Sequence, residues 1–300
     1  MKHFLMSLFA FAFVVFAILG AACFFLPDPS AGDVMLGEMG RKIERLRTAP
    51  SPRIVFVGGS GCSHGIDSPR IERELGVTVV NTGLHAALGL VYQLNVVRSG
   101  LRPDDMVVVI PEWQQFSDSC MGNMELVGLL MDVRPSDRKI VGLAQWLHLL
   151  RYMPTYAAVK LRKSLKRRRR HDALPYNAQG DMIGAWNVTR PEPFQPQGSL
   201  DALAVDETCV RALCAFGNAH GVRRVVVLPP AYQASSYDAS TNFIAAVDRR
   251  LARAGLPFAA PPLRYRVPDE DCFDTPYHLN GPGVARRTDL LIEDLRRLMR

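Results

Sequence analysis

The sequence has few cysteines and no pattern that would use them. It contains six in 300 residues, with no CxxC pair and no metal-ligand spacing. One of them, Cys23, lies in an apolar N-terminal segment. The rest of the chain therefore has five cysteines, an odd number. These features argue against a disulfide framework and a cysteine-bound metal. No internal repeat is visible, and we expect neither a metal nor a cofactor.

Acidic residues are missing from one segment. Between Arg151 and His171 the sequence has nine Lys or Arg and no Asp or Glu. The whole chain carries a formal charge of +7, so the remainder carries −2. A pervasive basic face is therefore excluded. Because no recognisable nucleic-acid module and no interleaved aromatic residues accompany the segment, we expect no nucleic-acid partner.

Charge of either sign is absent from residues 4–26, a run of 23 mostly apolar residues. At about 1.5 Å per helical residue, this run spans the roughly 30 Å core of a bilayer. It continues past the small residues at 20–22, so we favour an uncleaved single-pass anchor over a cleaved signal peptide. Basic residues follow the anchor, but long domains translocate largely regardless of such charges. We expect a bacterial-type inner membrane location, a linker at 27–52 and a globular domain outside the cytoplasm.

The remaining sequence has the composition of a globular domain and alternates strands with helices. Continuous apolar runs at 53–57, 77–81, 105–110 and 222–228 predict buried strands, and a shorter run follows at 256–259. Patterning predicts helices at 68–75, 86–99, 242–254 and 284–299. The fold class is therefore α/β, with a doubly wound parallel sheet in residues 53–300 and ligands at the carboxyl ends of its strands.

Residues 117–221 separate the third and fourth strands and are too many for one crossover. Their patterns predict helices at 124–131, 138–152 and 154–170, the last becoming wholly basic. A stretch rich in Pro, Gly, Asn and Gln follows at 174–198. We interpret the whole as a helical, basic insertion with an irregular loop over the strand ends.

Ser60 follows the first strand in the sequence Gly58-Gly59-Ser60-Gly61. Glycine tolerates the backbone angles that a sharp strand-to-helix turn often needs. A serine there is exposed at the top of the sheet beside backbone N–H groups, which suits an acyl-transfer nucleophile. A glycine-rich phosphate-binding loop is the alternative, but the spacing does not match a dinucleotide fingerprint.

His278 supplies the second half of a catalytic pair. It lies in Asp274-Thr-Pro-Tyr-His278, just before the final helix. A neutral imidazole can take the serine proton, and a carboxylate can orient the ring and stabilise the imidazolium. We therefore predict Ser60 as nucleophile, His278 as base and Asp274 as orienting group, with Asp271 as the alternative carboxylate.

These motifs, with Val80-Asn-Thr-Gly83 and residues 225–230, occur in an order that resembles the SGNH/GDSL hydrolase superfamily. The chain is most similar to the membrane-anchored branch that includes the teichoic-acid D-alanine transfer protein and the alginate O-acetylation proteins. The resemblance covers residues 53–116 and 222–297. It implies that Gly83 and Ser60 donate their N–H groups to an oxyanion hole and that Asn81 lies at the pocket.

The sequence departs from this family at three places. Gly59 replaces the usual Asp, and Asp274 and His278 are four apart where three is usual. The third-block Asn is absent, and Pro111-Glu112-Trp113 resembles the Pro-polar-Trp ending of the D-alanine transfer branch. A carboxylate cannot donate to an oxyanion unless it is protonated, so either Glu112 has another role or the hole is incomplete.

Several nearby residues have competing interpretations. Ser63 and His64 closely follow Ser60, and residues this close on a turn and helix start usually point apart. His85 either lines the pocket or caps a helix. Trp113 is either a carbohydrate platform or packing.

The basic segment has its own candidate partner. We expect Lys160, Arg162, Lys163, Lys166, Arg167, Arg168, Arg169 and Arg170 to contact anionic lipid headgroups, because an apolar stretch at 140–153 feeds into them. An acidic polysaccharide or partner is the alternative.

The resemblance implies a serine acyltransferase or esterase that acts on an envelope polysaccharide or cell-wall glycan through an acyl-serine intermediate. It also admits a membrane-bound acyltransferase as partner. The alternative is a non-catalytic glycan-binding or assembly component.

Overall fold

A computed structural model of the chain describes residues 2–26, 34–164, 175–188, 195–196, 198–219 and 221–300. Its strands and α-helices are α1 (Lys2–Phe25), α2 (Val34–Thr48), β1 (Arg53–Gly58), α3 (Ser60–His64), α4 (Ser68–Leu75), β2 (Thr78–Asn81), α5 (Leu90–Arg98), β3 (Met106–Ile110), α6 (Met124–Gly128), α7 (Leu143–Leu149), α8 (Met153–Ser164), α9 (Glu207–Ala219), β4 (Arg224–Val227), β5 (Tyr232–Gln233), α10 (Ala234–Asp238), α11 (Thr241–Arg253), β6 (Arg266–Val267) and α12 (Gly281–Met299). Short 3-10 helices lie at Ala86–Leu88, Trp113–Phe116, Pro135–Ile140, Leu150–Tyr152, Pro262–Tyr265 and Asp269–Asp271, and a π-helical turn at Leu129–Val133.

Four parallel strands form the main sheet in the order β2-β1-β3-β4. The prediction of an α/β fold with a parallel sheet is confirmed. The expected strand at 256–259 is reduced to a single bridge between Val227 and Phe258. The two-residue strands β5 and β6 pair with each other in a separate parallel ladder.

Both faces of the sheet are covered, which explains why its strands are mostly apolar. Every residue of β1 and β3 is buried. Val55 and Val107 point into one apolar cluster, whereas Phe56 and Val108 point into another on the opposite face. Alternate side chains of a strand face opposite sides, so a strand buried on both sides has few polar positions. Arg53, the first residue of β1, is buried in an ion pair with Asp105.

α1 is long enough and apolar enough to cross a membrane. The segment after it was expected to be a linker, but α2 packs on the domain through Leu36, Met39 and Leu46. Lys42 of α2 is buried with them, and its Nζ donates to Gly83 O at 2.5 Å. Burial lowers the pKa of Lys42 to about 8. α2, the helix after α1, is thus part of the domain.

The predicted helix at 86–99 is interrupted at Gly89. The backbone of Gly89 has φ +79°, and a Cβ there would contact the backbone of Cys120 and Gly122. This position separates a short 3-10 turn from α5, so the chain changes direction beside the candidate site.

The insertion contains α6, α7 and α8, as its patterns predict. Its irregular loop returns to the end of β2, where Asn81 N–H donates to Gln179 O at 2.8 Å. Of the predicted basic helix, the structure describes the part that ends at Ser164.

Candidate active site

Ser60 lies where β1 ends and α3 begins. Gly59, between them, has extended backbone angles that any residue can adopt. Contrary to the expectation from the sequence, glycine is therefore not needed here for its conformational freedom. A Cβ on Gly59 would lie 2.5 Å from Glu112 Oε1 and 2.9 Å from the Cβ of Ala86. Glycine is needed because the turn passes so close to Glu112.

Ser60 and His278 line one cavity of about 270 Å³ at the carboxyl end of the sheet. Its wall combines residues that follow β1, β2 and β3 with a loop near the C-terminus. The described lining residues are Ser60, His85, Ala86, Ala87, Glu112, Gln114, Ser119, Thr275, Tyr277 and His278. None of them is Lys or Arg, so no permanently positive side chain faces a bound molecule from this wall.

His278 and Asp274 form a hydrogen-bonded pair. His278 Nδ1 lies 2.7 Å from Asp274 Oδ1. A turn accommodates the four-residue spacing, because the backbone N–H of His278 donates to Thr275 Oγ1 at 3.1 Å. The carboxylate is an acceptor, so Nδ1 carries a proton; in the neutral form of the ring, Nε2 then has a lone pair. Asp271, the alternative carboxylate, pairs with Arg286 at 2.9 Å instead.

His64 stacks on the ring of His278. The two ring centroids are 3.9 Å apart and the planes differ by 6°. His64 Nδ1 lies 2.9 Å from the backbone carbonyl of Ser60, which can only accept. Burial, followed by the charge of His278, lowers the pKa of His64 to about 3. His64 is therefore neutral near pH 7 and connects the backbone of Ser60 to the ring of His278.

Glu112 binds two groups of the turn. Gly61 N–H donates to Glu112 Oε1 at 2.7 Å, and Ser60 Oγ donates to the same oxygen at 3.3 Å. In the described part of the chain, the Ser60 hydroxyl makes no hydrogen bond to His278. Glu112 also caps the following 3-10 helix, where its N–H donates to Gln115 Oε1 at 3.0 Å.

A buried arginine lies on the other side of Gly61. Arg287 Nη1 donates to Gly61 O at 2.6 Å, and the side chain is fully buried. Burial lowers the pKa of Arg287, and the negative charge of Glu112 is among the effects that oppose this. The peptide after Ser60 is thus held between a carboxylate and a guanidinium.

Gly83 and Asn81 do not lie at the cavity, contrary to the prediction. Gly83 N–H donates to Asn81 Oδ1 at 3.0 Å, and both residues are buried. Asn81 Nδ2 donates to Asp181 Oδ1 at 2.8 Å. These groups support the end of β2, because the loop that carries Asp181 covers them.

The two other predicted pocket residues are His85 and Trp113. His85 lines the cavity, and its Nδ1 accepts from Ala87 N–H at 3.1 Å. Trp113 is fully buried beside Phe116 and Phe258, with centroid distances of 6.4 and 5.7 Å. Its ring is packing and is not accessible to a carbohydrate.

Lys160 does not face lipid headgroups as predicted, because it is fully buried. Its Nζ donates to Asp132 Oδ1 at 2.7 Å and to Cys23 O at 3.0 Å. Arg162 is exposed. The side chain of Lys163 lies outside the described part of the structure, as do Lys166, Arg167, Arg168, Arg169 and Arg170.

The roles of His64 and Tyr277 were not predicted from the sequence. The spacing of four residues between Ser60 and His64 was a usable signal, because i and i+4 share a helix face. No sequence signal pointed to Tyr277. Its hydroxyl accepts from Trp113 N–H at 3.1 Å and contacts Gln114 Oε1. This contact ties the His278 loop to the end of β3.

Among the described residues, no group of three or more His, Cys, Asp or Glu side chains is placed to hold a metal ion. Comparison of the chain with protein families, curated proteins and solved structures gave no match to any family model, curated protein or solved structure. The resemblance to the SGNH/GDSL hydrolases therefore stays a prediction from the sequence motifs.

Proposed function

We propose that this protein is a membrane-anchored SGNH-type serine acyltransferase or esterase that acts on an envelope glycan. One observation carries the proposal. Ser60 and the His278–Asp274 pair are more than 200 residues apart in the sequence, yet they line or adjoin the same cavity. The strand order 2-1-3-4 supports it, because flavodoxin-like doubly wound sheets begin in this order and bind ligands at their carboxyl ends.

The proposed reaction has two steps at Ser60. The Ser60 hydroxyl turns from Glu112 toward His278, whose Nε2 takes its proton while Oγ attacks the acyl carbonyl. The bond to the departing alcohol breaks, and His278 returns the proton to that alcohol. A glycan hydroxyl or water then attacks the acyl-serine, with His278 taking its proton and returning it to Ser60. Asp274 orients the ring and stabilises the imidazolium.

The Ser60 N–H stays a proposed oxyanion donor, and the Gln114 amide lies where a second polar group can face the same oxygen. Gly61 N–H is bound by Glu112, and Gly83 N–H is bound by Asn81. The Gln114 side chain lines the cavity, and its Oε1 contacts the Tyr277 hydroxyl. Its Nε2 is the donor end of the same amide.

The lining of the cavity favours a neutral, hydroxyl-rich substrate with a short acyl group. A volume of about 270 Å³ is at the lower end for a small-molecule site. Hydroxyl and amide groups of Gln114, Ser119 and Thr275 can hydrogen-bond sugar hydroxyls. The carboxylate of Glu112 and the lack of Lys or Arg among the described lining residues disfavour an anionic donor.

A non-catalytic glycan-binding role is the second candidate. It is favoured by the hydrogen bond from Ser60 to Glu112, which replaces one to His278, and by the occupied N–H groups of Gly61 and Gly83. In this role the same cavity binds a glycan without acyl transfer.

We test catalysis with the full chain in detergent and a fluorophosphonate probe, which labels activated serines. The wild type is expected to be labelled, and Ser60→Ala to lose all labelling. Ser63→Ala is the matched control, because Ser63 is a buried serine on the same helix. Labelling that persists in Ser60→Ala contradicts Ser60 as nucleophile, and an unlabelled wild type favours the binding role.

The proposal includes a place in the cell. The domain lies outside the cytoplasm, tethered to the inner membrane by α1, with a membrane-bound acyltransferase as the proposed acyl supplier.

The basic segment after α8 contacts anionic headgroups. Changing residues 166–170 to glutamine is expected to reduce binding to phosphatidylserine vesicles and to weaken its salt dependence. Unchanged binding would contradict this contact.

A further inference from the structure

Helix α7 exposes a row of leucines. Leu143, Leu147 and Leu150 are 76%, 60% and 53% exposed. Their spacing of four and three residues places them on one face, which continues from α7 into the following 3-10 turn. The opposite face is anchored in the protein, because Leu149 is fully buried and Gln145 Nε2 donates to Met121 O at 3.0 Å. The exposed row is therefore a fixed feature of the folded insertion.

The leucine row lies next to the N-terminal helix. An apolar cavity of about 310 Å³ separates the two and is lined by Leu19, Gly20 and Cys23 of α1 and by Leu150, Met153 and Pro154. Cys23 Sγ lies 3.7 Å from Met153 O, and Lys160 Nζ donates to Cys23 O. α1 and α8 are thus held together by specific contacts.

These contacts fix the height of the leucine row along α1. Leu150 and Met153 share the cavity with Leu19, Gly20 and Cys23, which precede the end of α1 at Phe25 by two to six residues. At about 1.5 Å per residue, this is roughly 3–9 Å along the helix axis. Helices that lie in a membrane interface bury their apolar face about 5–10 Å deep. A membrane that surrounds α1 to its end therefore also reaches Leu150, from which the row continues along α7.

The charges around this surface fit a bilayer boundary. From residue 138 to residue 171 the sequence has no Asp or Glu. Arg151 follows Leu150 directly and is exposed. Long basic side chains can extend from an apolar surface to the headgroups, where anionic lipids attract them.

We propose that the face formed by Leu143, Leu147 and Leu150 is embedded in the leaflet next to the α/β domain. This second membrane contact is apolar, so it needs no anionic lipid. It holds the domain at a fixed height and orientation over the bilayer. The inference requires that α1 spans the membrane and does not depend on the serine chemistry.

The test uses full-length protein in vesicles of neutral phosphatidylcholine, with Cys214→Ser to remove the most accessible thiol. A fluorophore sensitive to polarity is attached at Leu147→Cys or Leu143→Cys. Leu263→Cys is the matched control, because Leu263 is a 65% exposed leucine beside α12. At 143 and 147 we expect a blue-shifted emission that brominated lipid quenches and aqueous iodide does not. At 263 we expect no blue shift, and an emission that aqueous iodide quenches and brominated lipid does not.

The outcomes separate the possible occupants of the face. Quenching by iodide at 147 as strong as at 263 would overturn the proposal, because the face would be in water. Protection from both iodide and brominated lipid would also overturn it, because a second copy or another protein would then cover the face. Quenching by brominated lipid that persists at high salt supports the apolar contact and distinguishes it from headgroup binding by the basic segment.

Discussion

The rings of His64 and His278 lie parallel, with their centroids 3.9 Å apart. Two positive charges at this distance repel by about 4 kcal/mol at an effective dielectric constant of about 20, so the rings are not charged together. His64 remains neutral because burial opposes its charge. A neutral His64 therefore adds no repulsion when His278 takes a proton.

The first prediction concerns the pH dependence of stability. The pKa of His64 is about 3 in the folded chain and near 6.5 when unfolded. Between these values the unfolded chain binds a proton that the folded chain does not, so the free energy of unfolding falls as pH decreases. From pH 7 to pH 5 this contribution is about 2 kcal/mol.

His64→Phe keeps a flat ring and cannot bind a proton. In urea titrations of the full chain in detergent, we expect this variant to lose about 2 kcal/mol less than the wild type between pH 7 and pH 5. Equal losses in the two proteins would show that His64 is already able to titrate in the folded state.

The second prediction separates two bases for Ser60. Glu112→Gln keeps the shape of the side chain but removes its charge, so its hydrogen bond with Ser60 weakens. If His278 is the base, fluorophosphonate labelling persists within about tenfold of the wild-type rate, whereas His278→Asn reduces it by about 10²-fold or more. Loss of labelling in Glu112→Gln as complete as in Ser60→Ala would assign the proton transfer to Glu112.

The third prediction concerns the turn before Ser60. Gly59→Ala places a Cβ 2.5 Å from Glu112 Oε1, so the carboxylate must move. We expect the free energy of unfolding to fall by about 1–3 kcal/mol, as for other overpacked sites. Gly217→Ala is the matched control, because nothing lies within 4 Å of a Cβ placed there, in the last turn of α9. That change is expected to stabilise the chain by up to about 1 kcal/mol.

The fourth prediction concerns the contact between α8 and α1. Lys160→Met leaves the Asp132 carboxylate without its ammonium partner, and this is expected to cost about 3 kcal/mol in urea titrations. Arg162→Met, an exposed basic neighbour, is expected to change stability by less than about 0.5 kcal/mol. The double variant Lys160→Met/Asp132→Leu is expected to recover part of the loss. If Lys160→Met behaves like Arg162→Met, the buried pair does not stabilise the insertion.

Sequence patterns were sufficient to predict the parallel sheet and most of the helices. They also predicted that Ser60 and His278 lie at the same edge of the sheet. Strands buried on both faces are continuously apolar, and carboxyl ends of parallel strands meet at one edge of a sheet. The docking of α2 was missed because residues 27–52 were assigned to a linker, although Leu36, Met39 and Leu46 follow a helical spacing.

The sequence by itself determined the apolar N-terminal helix, the fold class and the candidate nucleophile, because each depends on local composition or periodicity. Only the tertiary structure decided that Glu112 accepts from Ser60, that Asn81 occupies the Gly83 N–H, that His64 stacks on His278 and that Lys160 is buried. These outcomes depend on contacts between residues far apart in the chain or on the directions of neighbouring side chains. Such contacts form only when the packed elements bring the groups within a few ångströms, so no local pattern records them.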